Sequence, residues 1–86
     1  MDINELIANV KKKLINQINI ENIKIEDKTF LHKKHLNFQE GKFHLKVTIE
    51  SIELKKLNKI DSNKKIYKIL NEELKKHIHS IQIFIS

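Results

Sequence analysis

The chain contains no cysteine, no proline, no tryptophan and no arginine, and it has a single glycine. Without cysteine it can form no disulfide, build no thiolate metal site by itself and offer no thiol nucleophile. Any metal it holds must rest on His, Asp or Glu, or on ligands brought by a partner. With no proline and only Gly41 to mark turns, hydrophobic periodicity has to place the structural elements. All 17 basic residues are lysine, so the bidentate guanidinium fork that reads guanine edges and phosphates is missing. What remains is a salt-dependent attraction indifferent to sequence. Long apolar runs are lacking too. The leading stretch starts at Asp2 and carries Lys11, Lys12 and Lys13, which fits neither a signal peptide nor a membrane span. The expectation is a soluble, cytoplasmic protein.

What is present is 86 residues, one third of them charged, with a formal charge of +6. That length suits one modest domain, residues 1–86, able to fold without staples. The positive charge favours an acidic contact, although the accompanying wealth of Ile and Asn reads as compositional bias.

Ile3, Leu6, Ile7, Val10, Leu14 and Ile18 recur at helical spacing behind Asp2, an N-cap residue. Ile23 and Ile25 alternate with Lys24 and Glu26 in a short strand ending near Asp27. From Lys28 to Glu40 the pattern stops, as expected of a long loop. Phe43, Leu45, Val47 and Ile49 then alternate with polar residues in the clearest strand, expected to run antiparallel to the first. Leu54 and Leu57 mark a short turn of helix. Ser62 is the expected cap of a helix that buries Ile66, Ile69, Leu70 and Leu74, with Glu72 and Lys76 as an i to i+4 pair. The segment from Ile78 to Ile85 is β-branched and mostly apolar, which suits a central strand. Such stripes are buried by an α+β arrangement in which helices pack on one face of a three-stranded sheet.

Four stretches together carry a family resemblance: Ile23 to His32 (IKIEDKTFLH), Phe43 to Ser51 (FHLKVTIES), Ile66 to Leu74 (IYKILNEEL) and Ile78 to Ile81 (IHSI). In order and spacing the chain resembles the BolA family, whose fold is similar to the class II KH arrangement, α-β-β-(short helix)-α-β with a mixed sheet. It departs from the family where Leu54, Lys55 and Lys56 stand in place of an aromatic and glycine. It departs again where Ser62, Asn63 and Lys64 replace an Arg-His-Arg segment. The KH loop that clamps nucleic acid is glycine-rich, and the region from Lys55 to Ser62 has no glycine, so that mode of RNA binding is not expected.

Of the five histidines, His77 and His79 lie two apart and would share a face if both were extended. His32 and His35 fall in the loop. Taken alone, an isolated histidine is most often solvated or merely hydrogen-bonded. The resemblance assigns two of them more. It implies a partnership with a monothiol glutaredoxin and a [2Fe-2S] cluster shared with that partner and glutathione, to which this chain brings His79 and a loop ligand. The loop ligand maps to His32, with His35 as its alternative. His44 matches the family's strand-opening histidine, for which a solvent-facing residue bonded locally is at least as good a reading as a ligand role; His77 has no counterpart and reads as a surface residue. The resemblance also allows a DNA-binding stress-response regulator, for which Lys55, Lys56, Lys64 and Lys65 are the candidate contacts. Asp27, Glu50, Glu53, Glu72 and Glu73 are scattered, and no nucleophile and base pair emerges, so no enzymatic activity is expected. The protein alone is expected to be a monomer, or a heterodimer with its partner.

Overall fold

The computed structural model describes residues 2–29 and 42–86. In chain order the elements are α1 (Ile3–Gln17), β1 (Asn22–Asp27), β2 (Phe43–Glu50), α2 (Ile52–Lys55), α3 (Lys59–Ile69), α4 (Asn71–Lys76) and β3 (Ile78–Ile85). The sheet order is β1-β2-β3, with β1 antiparallel and β3 parallel to β2. No helix among the described residues is long and apolar enough to cross a membrane.

The core follows from the two periodicities. Asp2 caps α1 through its carboxylate, which accepts from the Glu5 N–H at 2.8 Å, and the helix buries Leu6, Val10 and Leu14 on one stripe. Alternation along β2 sends Leu45, Val47 and Ile49 to meet them, and Leu54, Ile66, Leu70 and Ile78 close the cluster. Each such side chain, fully buried, contributes about 1.5–3 kcal/mol.

The crossover from β2 to β3 is tied down by polar side chains. The Ser51 hydroxyl accepts from the Leu54 N–H and donates to the Asn19 carbonyl at 2.8 Å, so one buried oxygen caps α2 and pins the chain end of α1. Glu53 accepts from the Asn19 N–H and from Lys65 at 2.9 Å, linking α1, α2 and α3. At the other end Lys13 sits 2.6 Å from the buried Glu73 carboxylate and joins α1 to α4. The expected pair of Glu72 and Lys76 forms at 3.2 Å.

Three expectations are corrected. Among the described residues the segment from Ile78 to Ile85 is an edge strand, because the parallel crossover carries the chain past β2 and leaves β2 in the middle. Apolar composition reports how much of a strand's faces is buried and says nothing of its edges. Ser62 is not the cap: Asn58 is, accepting from the Asp61 N–H at 2.8 Å, and α3 starts a turn earlier. Ser62 lies buried inside that first turn, its hydroxyl donating to the Lys59 carbonyl at 3.0 Å. The helix also breaks at Leu70, whose backbone leaves the helical region, so α4 is a separate short helix.

Ile66→Ala empties part of the core and is expected to lower the unfolding free energy in urea by about 2–5 kcal/mol. Ile52→Ala, at a side chain 63% exposed, should change it by less than about 0.5 kcal/mol. The ion pairs set a pH window. The Lys65 hydrogen bond, then the Asn19 amide, hold Glu53 below the usual carboxylate range, and Lys76, then the charge of Lys13, do the same for Glu72. The Glu73 hydrogen bond, outweighing desolvation, raises Lys13. The carboxylate contribution is present above about pH 4.3 and lost as pH falls through the depressed values, while that of Lys13 is present below about pH 10.4 and lost as pH rises through its raised value. Thermal unfolding followed across pH should show the loss of these contributions below the lower limit and above the upper one, and Lys13→Met should lessen the alkaline fall.

Candidate functional site

The site begins with a register irregularity. Phe43 pairs with Ile78, but the next residue of β2, His44, pairs with Ser80, so His79 is an extra residue on β3. A bulge of this kind leaves one residue out of the ladder and re-aims its side chain. Ile78 stays in the core, while His79 is carried to the face of the sheet opposite the described helices, exposed, with its ring centroid 4.9 Å from that of His44 and the planes tilted by 58°.

His44 is not the solvent-facing residue expected from strand alternation; it is 6% exposed. Its Nδ1 lies 2.6 Å from the Ser80 hydroxyl oxygen. Its backbone is held as firmly. The His44 N–H donates to the Thr29 hydroxyl oxygen at 3.1 Å, and its carbonyl accepts from the Lys28 N–H at 2.7 Å. Thr29 in turn donates to the Asp27 carboxylate through both its N–H, at 2.9 Å, and its hydroxyl. Asp favours such turns because its short side chain can accept from the backbone two residues on. The chain therefore leaves β1 from a fixed point beside His44, and His79 stands against that same anchored residue.

His77 does not share a face with His79. It ends α4 in a non-extended conformation, its N–H donating to the Glu73 carbonyl and its own carbonyl accepting from Phe43, and its side chain lines a crevice with Lys12, Lys13 and Glu72. His32 and His35 lie outside the described residues. Among the described residues no three His, Asp or Glu side chains converge where a metal ion could be held.

Of the candidate lysines, Lys55, Lys56 and Lys64 are exposed, whereas Lys65 is engaged by Glu53. Lys55 shares a groove of about 390 Å³ with Lys59, Ser62, Asn63 and Phe84. On the face opposite the described helices the Lys46 ammonium sits 5.2 Å from the Phe84 ring centroid. Close by, burial works against the Glu26 charge, but Lys28 and then Lys24 and Lys46 hold its carboxyl below the usual range. Sequence reasoning missed Thr29, Ser80, Lys59 and Phe84. The alternation of β3 placed Phe84 opposite Ile83 and Ile85, and this was the signal available for it; no residue type announced the bulge.

Ser80→Ala removes one hydrogen-bond partner of a buried imidazole and is expected to cost about 0.5–1.5 kcal/mol. It should also alter the ring nitrogen resonances of His44 in a long-range proton–nitrogen spectrum, the measurement that checks it.

Comparison with known proteins adds the following. The family model described as BolA-like protein matches residues 14–86. A Haemophilus influenzae protein named "DNA-binding transcriptional regulator BolA" is 29% identical over 76 residues, covering 88% of this chain and 71% of the relative. Two solved Arabidopsis thaliana structures superpose, each covering 92% of this chain and 87% of the other: the BolA domain of SufE1, with a TM-score of 0.78 at 22% identity, and BolA1, with 0.76 at 23%.

Proposed function

This chain belongs to the BolA-like family, and on that premise we propose that it is a non-enzymatic adaptor that binds a monothiol glutaredoxin and lends the His79 imidazole to a [2Fe-2S] cluster held jointly with that partner and glutathione. The observation that carries this reading is the bulge, which takes His79 out of the ladder, exposes it and backs it with an anchored His44. A neutral imidazole nitrogen is a suitable donor for iron, and exchanging thiolate for imidazole raises the reduction potential of such clusters. A chain without cysteine fits a site whose thiolates come from elsewhere. His44, fixed by Ser80, supports one side of the His79 ring and leaves the other to the partner.

His32 is the proposed second ligand. The family resemblance maps the loop ligand to it, with His35 as the alternative. Visible absorption and circular dichroism of a [2Fe-2S] glutaredoxin, titrated with this protein, should shift at equal stoichiometry. His79→Ala should abolish the shift, and His32→Ala should reduce it. A titration that leaves the spectrum unchanged, or a His79→Ala variant that behaves as the parent, would sink the reading.

A second reading, a DNA-binding stress-response regulator, draws on the name of the Haemophilus influenzae relative and on the exposed Lys55, Lys56 and Lys64. Lysine alone predicts binding that ignores base sequence and weakens by orders of magnitude between about 50 and 200 mM salt. Fluorescence anisotropy with unrelated duplexes checks this; a preference for one sequence that survives added salt would count against attraction by lysine alone.

A further inference from the structure

In β3 sequence and position disagree. From His77 to Ser86 there is no Lys, Asp or Glu, in a chain one third of whose residues are charged. That composition belongs in the middle of a sheet, yet β3 pairs with β2 on one side and, among the described residues, with no strand on the other. An edge strand presents a row of unpaired N–H and C=O groups, and proteins usually blunt it with charge. The opposite edge is blunted in this way: β1 carries Lys24 and Glu26, with Lys28 just beyond. No such charge stands on β3.

The side chains show the same imbalance. Leu45, Val47 and Ile49 of β2 are at most 2% exposed, whereas their β3 partners Ile81, Ile83 and Ile85 are only partly buried and Phe84 is 50% exposed. Beside them runs the groove of about 390 Å³, with Ile83, Phe84 and Ile85 on one wall and Lys55 and Lys59 on the other. Lys46 flanks Phe84 from the sheet.

We propose that the free edge of β3 receives an extended acidic segment of a partner protein as a fourth strand. Main-chain hydrogen bonds along the edge supply affinity, and the alternating side chains supply specificity. One face of the incoming strand extends the row of Ile81, Ile83 and Ile85; the other lies beside Gln82 and Phe84. Asp or Glu at its flanks meets Lys55, Lys59 and Lys46. A second copy of this chain is a poorer occupant, because it brings another +6 charge to a lysine-rimmed edge. Nothing in this assignment depends on His79 holding a metal.

The test is an amide NMR titration of the full chain with a short peptide of alternating valine and threonine flanked by glutamates, beside the same peptide flanked by lysines. With the glutamate peptide, shifts and slowed amide exchange should be confined to His79 through Ile85 and the groove, and affinity should weaken about tenfold at high salt. Phe84→Glu, with folding checked by circular dichroism, should abolish binding. Lys55→Glu combined with Lys59→Glu should remove the preference for the acidic peptide. The proposal is overturned by an absence of shifts on β3, or by equal binding of the lysine-flanked peptide. It is overturned in favour of self-association if β3 amides shift with protein concentration alone, and in favour of nucleic acid if a thymidine oligonucleotide moves the same amides at lower concentration.

Discussion

The parallel pairing of β2 with β3 is the constraint on which the rest of the structure depends. Parallel strands cannot be joined by a hairpin, so the chain between Glu50 and Ile78 must cross over the sheet. That crossover is α2, α3 and α4, and together with α1 it covers one face. β2 is the central strand because it pairs with β3 on one side and with its antiparallel partner β1 on the other. The buried Ser51 oxygen, which caps α2 and holds the Asn19 carbonyl, sits where the crossover departs, and the bulge at Ile78 to Ser80 sits where it returns.

Much of this order was legible in the residues. The stripe of Leu6, Val10 and Leu14, the cap at Asp2 and the alternation of Leu45, Val47 and Ile49 report burial directly, because each element has one dry face. Topology was less legible. The apolar run from Ile78 looked central, since hydrophobicity measures how dry the faces of a strand are and is silent on what lies beside it. Ser62 and Asn58 are both good cap residues; Ser62 is buried with its hydroxyl turned to the Lys59 carbonyl, and Asn58 does the capping.

At the site, family resemblance singled out His79, and its surroundings remained hidden. Alternation along β2 points His44 away from the core, which reads as exposure; its burial comes from Ser80, His79 and the Thr29 turn, contacts reaching up to 36 positions along the chain. Lys65 looked as free as Lys64 until Glu53, which has no helical spacing to it, was found alongside. Contacts that cross between elements have no local signature. The stretch from His77 to Ser86 carries no Lys, Asp or Glu, but its place along an edge follows only from the topology.

The bulge also separates foldability from chemistry. Of the residues in β3, His79 alone has no partner across the ladder. A chain lacking it would bring Ile78 opposite Phe43 and Ser80 opposite His44 with the inward and outward alternation unbroken. A relative could therefore discard this imidazole by losing one codon and keep its sheet. Conversely, an ancestral strand without it could have gained the histidine by a single insertion, with no other residue of the sheet having to change face.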